Sequence, residues 1–304
     1  MRIVVCIKEV VDAGLNLAFG RVSNELWQKG LAFRLNPNDA GALAAALEEK
    51  SKDAQVEITV ISLGPKRVED YLREALALGA DHAVRLRTEN QLSPYQKAII
   101  ISRAVSRYQP DLVLTGAASL DNASGQVGPF IATRLGLPCI VGVTEFQLDG
   151  ANRSVTVTRN IGRGARERLL SPLPTVLAIE GSGRALPYAS LDKLLESRSA
   201  SITVLSLSDL GISSAELAGD PTRVTGLSFP RPRPRKVPTP ASSLPAFDRI
   251  LKLLEGGIPK RQGKMLQGSQ DELVTQLFDL LVTKDIISQR DEKGATSQQR
   301  KSKA

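Results

Sequence analysis

The residues best placed for chemistry lie in "LTGAASLDNASGQVGPFIATRLGLP", Leu114–Pro138. A strand-like start runs into small residues and one carboxylate, Asp121, and then into a helix-like pattern. The first N–H groups of a helix have no intrahelical acceptor and sit at the positive end of its dipole. Ser124, Gly125 and Gly128 carry no bulky side chains, so an anion can approach those N–H groups. The chemistry this predicts is a cradle for phosphate or pyrophosphate, with Asp121 and Gln126 as flanking polar groups. A nucleophile–base pair is missing from the stretch. No Lys follows the glycines and the spacing is not GxGxxG, so it is neither a Walker A loop nor a dinucleotide fingerprint. An ordinary strand-to-helix turn also fits these residues taken alone.

Three other loops offer polar or small groups. Lys8 and Asp12 in "CIKEVVDAG" follow the first strand, either as solvated charges or as a polar wall for a ligand. Asn36 in "LNPND" is either a turn residue before Pro37 or a partner for a nucleotide base or ribose. Gly64 in "SLGP" permits close approach at a tight turn. Four ligand-compatible loops at one sheet edge argue for a binding site more strongly than any one of them does.

These loops need a scaffold, and the apolar pattern supplies it. Strands are predicted at Arg2–Lys8, Val56–Ser62, His82–Leu86, Asp111–Thr115 and Pro138–Val143. They alternate with helices at Asn38–Lys52 (Asn38 or Asp39 as N-cap), Arg67–Leu78 (ending at Gly79), Tyr95–Tyr108 and about Ser124–Leu135. Continuous apolar strands alternating with helices predict an α/β protein, a doubly wound, mostly parallel sheet covered on both faces. Such sheets bind ligands beyond the carboxyl ends of their strands, the edge at which the loops above lie. Phe146–Leu148, Ser154–Arg159 and Glu167–Leu170 read as antiparallel strands with "DGANR" as a turn, and "SPLPTVLAIEG" as a further strand. "PYASLDKLLESRS" reads as a short helix or protruding loop.

Composition narrows the function classes. Of 304 residues, 42% are apolar and only 4% aromatic, so the core rests on Leu, Val, Ile and Ala. No run approaches the ~20 apolar residues of a membrane span, and "MRIVVCIKEV" reads as a first strand rather than a signal peptide. Cys6 and Cys139 make no disulfide framework or metal-ligand spacing and read as buried free thiols of a cytoplasmic protein. The single histidine, His82, excludes a His-rich metal site and reads as structural. No catalytic residue and no metal ligand is assigned.

Much of the +8 net charge lies after residue 220. "FPRPRPRKVPTPASSLP" cannot be helix or central strand and reads as an extended linker. With no interleaved aromatics beyond Phe229, it makes a poor nucleic-acid site, so a basic nucleic-acid-binding protein is the remote reading. Helices are predicted at Ala246–Glu255 and Asp271–Thr283. The organisation expected is an α/β domain over 1–201, an extended arm over 202–244, a C-terminal helical extension over 245–287 and a disordered tail over 288–304.

Taken together, "IVVCIKEVVD", "LNPND", "VISLGP", "ALALGAD", "DLVLTG…LDNASGQVGP" and "LPCIVGV" resemble, in order, the β subunit of electron-transfer flavoproteins. "VTRNIGRGARERLLSPLPTVLAIEG" adds a more specific block, with Arg159, Glu167, Leu169 and Pro174 at motif positions. The resemblance covers about Met1 to Ser201 and extends more weakly to about Pro232. "QVGP" and "GDPTRVTGLSFP" resemble the electron-bifurcating branch, which includes nitrogen-fixation-associated proteins. That branch has K-Q-V-P-D where this chain has "KEVVD", and a second Asp where this chain has Ala123.

The resemblance implies a Rossmann-like nucleotide-binding fold and a heterodimer with an α subunit carrying a redox-active FAD. It further implies an adenine nucleotide in this subunit, AMP in ordinary members or a second FAD with an NADH site in bifurcating ones. The chain is then an electron carrier subunit rather than a stand-alone enzyme, with oxidoreductase activity of its own only if it bifurcates. The binding residues carried over are Cys6, Lys8, Asn36, Gly64, Gly116, Asp121 and Ser124, Gly125, Gln126, Val127 and Gly128. Leu191 in "PYASLDKLL" stands at the leucine of the partner-recognition loop, which implies docking to an acyl-CoA dehydrogenase or other redox partner.

Overall fold

The computed structural model describes residues 1–12, 14–15, 31–88, 92–181, 184–222, 225, 239–254, 265–284 and 286. Most of the predicted Pro/Arg linker and the predicted tail at 288–304 lie outside them. The chain divides into two compact units, Met1–Phe229 and Pro230–Ala304.

In the first unit the strands are β1 (Arg2–Ile7), β2 (Glu9–Val11), β3 (Phe33–Leu35), β4 (Glu57–Gly64), β5 (His82–Arg87), β6 (Leu112–Gly116), β7 (Cys139–Asp149), β8 (Ser154–Gly162), β9 (Ala165–Pro172), β10 (Thr175–Ile179) and β11 (Thr203–Leu205). The helices are α1 (Pro37–Lys52), α2 (Glu69–Leu78), α3 (Pro94–Arg107), α4 (Val127–Leu135), α5 (Leu191–Ser199) and α6 (Ser214–Ala218). One nine-stranded sheet has the order β11-β5-β4-β1-β6-β10-β7-β8-β9. It is parallel from β11 to β7 and antiparallel from β7 to β9.

Alternate residues of β1 explain the double winding. Ile3, Val5 and Ile7 pack on one face with residues of α1 and α2, and Val4 and Cys6 pack on the other with residues of α3 and α4. A strand buried on both faces needs an uninterrupted apolar run, and "IVVCI" supplies it. The chain moves outward from β1 to β4 and β5 on one side, and to β6, β10 and β7 on the other. The strand order therefore reverses at the β1/β6 pair, where an open α/β sheet leaves a crevice at its carboxyl edge.

Several local expectations are refined. The predicted antiparallel strands form as β7, β8 and β9. They continue the main sheet, because β7 pairs with β10 through Val143 and then with β8 from Val143 onward. Gly142, with φ of 77°, sits where the pairing changes. A separate two-stranded ribbon, β2 with β3, was not predicted, since three-residue strands are too short to show a period. Regular structure also continues past residue 201, with β11 beside β5 and then α6. Helix α2 ends at Gly79 in the left-handed conformation, as the sequence predicts.

In the second unit, α7 (Ala246–Leu254) and α8 (Gln270–Thr283) form where predicted. Helix α8 opens on a capping box, with Ser269 and Glu272 satisfying each other's backbone N–H. Neither helix has a buried residue.

Candidate functional site

The crevice at β1/β6 is built around a buried carboxylate. Asp39, in the first turn of α1, accepts from Lys8 N at 2.8 Å through one oxygen and from Gly116 N at 2.9 Å through the other. It thereby clamps the carboxyl ends of β1 and β6 together. Burial pushes its carboxyl up to about 7, against the lowering effect of Asn36, the two N–H donors and the Lys8 charge. Neither Asn38 nor Asp39 caps α1. The cap position is Asn36, with Pro37 at the first helical residue where its missing N–H costs nothing.

The side chain of Asn36 makes no cap bond. It reaches across to the loop after β6, donating to Ala118 O at 3.1 Å and accepting from Leu120 N at 3.1 Å. Asn38 also donates to Ala118 O, at 2.8 Å, and accepts from Gly181 N at 2.9 Å. The "NPND" turn thus holds the Gly116–Gly128 loop and the end of β10. Gly41 and Gly181 let α1 come this close, because a Cβ on Gly41 would lie 2.6 Å from Gly181 Cα.

Lys8 closes the rim from the β1 side. Its Nζ lies 2.7 Å from the Asp121 carboxylate and 3.1 Å from Ser119 Oγ. Burial works against ionised Asp121, but Lys8 and its hydrogen-bond donors hold the carboxyl below its usual range. Lys97, in the first turn of α3, is pulled below the usual lysine range by burial and then by the Lys8 charge, with Asp121 opposing.

Beyond Asp121 the loop bends twice through the left-handed region, at Ala123 with φ of 49° and Gly125 with φ of 62°. These bends delay α4 to Val127, not Ser124 as the periodicity predicts. Ser124 N points back to Asn122 Oδ1 at 3.3 Å. Among the described residues, the N–H groups of Gly125, Gln126, Val127 and Gly128 have no protein acceptor. A Cβ on Gly125 would lie 3.0 Å from Ala117 O, and one on Gly128 would lie 2.7 Å from Thr115 Oγ1, itself a buried hydroxyl without a partner. Four consecutive N–H groups without a protein acceptor, two of them on glycines, fit an anionic group such as a phosphate.

The chain matches the electron transfer flavoprotein domain family over residues 27–210. It is 33% identical over 247 residues to Protein FixA of Azorhizobium caulinodans, covering 78% of this chain and 87% of that protein. It is 32% identical over 235 residues to the electron transfer flavoprotein subunit beta of Thermoanaerobacterium thermosaccharolyticum, covering 76% of this chain and 88% of that one. The chain belongs to the electron transfer flavoprotein β-subunit family.

Within this flavoprotein subunit the predicted site residues fall into three groups. Lys8, Asn36, Gly116 and Asp121 are joined through Asp39 and the loop after β6, and Ser124–Gly128 follow on the same loop. Cys6 and Gly64 lie beside the crevice in the sheet. The Cys6 thiol is buried in the core and pushed up to about 12, first by burial and then by Asp39. Gly64 does permit a close approach, and the approaching group is Val68, whose Cγ1 would lie 2.7 Å from an added Cβ. Arg159, Glu167 and Leu191 lie outside the crevice. Arg159 and Glu167 face each other across β8 and β9 and form a cross-strand ion pair at 2.7 Å.

Leu191 is the first residue of α5 and is 69% exposed, beside the fully exposed Tyr188. The other end of α5 is fastened by Arg73, whose guanidinium donates to the carbonyls of Ser197, Arg198 and Ala200 at 2.8, 2.9 and 3.0 Å. Cys139 is half-buried rather than buried, and its thiol is raised by burial. His82 lies 2.8 Å from a Glu57 carboxylate oxygen on the surface.

Sequence reading missed Lys97, Asn38 and the clamp made by Asp39. A signal existed for Lys97: a cation in the first turn of a helix opposes the dipole and stands just before the apolar run "AIIIS". Asp39 gave only a capping signal, because its partners are backbone groups of distant strands.

Proposed function

We propose that this chain is the β subunit of an electron-transfer heterodimer and holds an adenine nucleotide, AMP or FAD, at the β1/β6 crevice. The observation that carries this reading is the run of unpaired N–H groups from Gly125 to Gly128, on the loop whose Asp121 pairs with Lys8. Phosphate oxygens accept from those N–H groups, with Ser124 completing the cradle, while Lys8 and Lys97 offset the negative charge. Asn36 and Asp39 hold the two sides of the crevice at a fixed separation. A flavin bound to the heterodimer supplies the electron chemistry. This chain's residues bind and orient the nucleotide and offer no nucleophile–base pair of their own.

The exposed tip of α5, with Tyr188 and Leu191, is the anchor for a redox partner such as an acyl-CoA dehydrogenase. Helix α8 exposes Val274, Leu277, Phe278 and Leu280, a face that fits the α subunit. Co-expression with the α subunit and extraction of bound nucleotides tests the central claim. One FAD and one AMP per heterodimer supports an AMP-holding carrier, and two FAD supports the bifurcating form with its own flavin and NADH site. No adenine nucleotide beyond the α-subunit FAD would overturn the proposal. Truncation after Pro238 is expected to weaken the heterodimer, and an unchanged complex would remove α8 from that interface.

A further inference from the structure

Among the described helices, α7 is the most sharply two-sided. Phe247, Ile250, Leu251 and Leu254 fall at i, i+3, i+4 and i+7 and make one continuous apolar face. Asp248, Arg249 and Lys252 share the opposite face. All four apolar side chains are exposed, Phe247 at 70% and Leu254 at 78%. Nothing in α7 is buried, so core packing does not account for the pattern.

Charge says what kind of surface the face fits. In the sequence "PRPRPRK" (230–236) stands before α7 and "KRQGK" (260–264) after it. No Asp or Glu occurs between 221 and 247 or between 256 and 270. Helix α8 is the opposite case, with Asp271, Glu272 and Asp279 and no Lys or Arg within Gln270–Thr283. Both helices present apolar faces, but only α7 lies in a strongly cationic setting.

A short amphipathic helix with Phe, Ile and Leu on one face and basic residues on and around the other is the pattern that lies in the plane of an anionic lipid surface. No helix of the described residues is long and apolar enough to cross a membrane, so contact through α7 would be peripheral. We propose that α7 docks this subunit on an anionic phospholipid membrane, its apolar face entering the headgroup boundary and its Lys and Arg residues pairing with lipid phosphates. This inference is independent of the nucleotide reading, because it concerns only the second unit.

Flotation of the full-length chain with vesicles tests it. Vesicles of phosphatidylcholine containing about a third phosphatidylglycerol are expected to capture the chain in a salt-sensitive way, and pure phosphatidylcholine vesicles are not. Leu251→Asp is expected to reduce capture roughly tenfold or more by charging the embedded face. Arg249→Gln with Lys252→Gln leaves that face intact and is expected to reduce capture by about five-fold for each charge removed. Both variants alter exposed residues, and far-UV dichroism checks that the helix remains. Equal capture by neutral and anionic vesicles, undiminished capture of Leu251→Asp, or no capture of the unmodified chain would each overturn the proposal. The last result is also the one expected if a protein partner takes this face.

Discussion

The two left-handed residues of the cradle loop allow a matched test of its function. Gly125 has φ of 62° and Ala123 has φ of 49°. Replacing Gly125 with Ala places an L side chain in the left-handed region at a cost of roughly 1–2 kcal/mol. The new Cβ would also lie 3.0 Å from Ala117 O, a backbone atom that cannot swing aside. Stability is therefore expected to fall by about 2 kcal/mol, and the loop to shift where its N–H groups are unpaired. Losing one charge-assisted N–H bond to phosphate weakens binding by about 1.5–3 kcal/mol, roughly ten- to a hundred-fold in Kd.

Ala123→Gly is the control. It relieves the left-handed strain but gives the unfolded chain about 0.4–1 kcal/mol more entropy to lose, so the net gain is up to about 1 kcal/mol with the cradle intact. The assay is calorimetric titration of AMP into nucleotide-stripped heterodimer, with denaturant melts run alongside. A Gly125→Ala protein that is destabilised yet binds AMP with unchanged Kd would refute the role of these N–H groups. Equal weakening by Ala123→Gly would assign the effect to loop flexibility instead.

Asp39 predicts a pH dependence. Its carboxyl rises to about 7 in the folded protein from 3.8, so the native state keeps a proton that the unfolded chain releases between those values. Stability is then lost as pH rises through that window, by up to about 1.4 kcal/mol per pH unit, and Asp39→Asn should flatten the slope in urea melts. Parallel profiles would show that Asp39 stays ionised. Lys8→Gln breaks a partly exposed ion pair and should cost under about 1 kcal/mol in thermal melts. The same change should weaken AMP binding several-fold and reduce its salt dependence. Gly41→Ala should destabilise by roughly 1–3 kcal/mol despite a better helix propensity, because the added Cβ meets the backbone of Gly181; a raised Tm would show that α1 can retreat.

The apolar run of β1 and the alternation of strands with amphipathic helices announced a doubly wound sheet, since a strand buried on both faces leaves no room for polar residues. The glycines at 125 and 128 marked a loop whose backbone is open to approach, because the absence of a side chain is itself a sequence feature. Sequence also placed α7 and α8, whose periods are plain and which need no tertiary partner to be seen.

Other features depend on distant segments meeting. The insertion of β10 between β6 and β7, and the continuation of β7 into the antiparallel edge, follow from pairing choices that no local pattern encodes. Asp39 looked like a helix cap and is a clamp between two strands. Asn36, read from sequence as a turn residue or a nucleotide partner, ties one loop to another. Local sequence determined which segments were apolar, flexible or charged, because those properties reside in each residue. Only the tertiary structure decided which backbone donors a buried carboxylate meets, because that depends on which strand ends the folded sheet brings together.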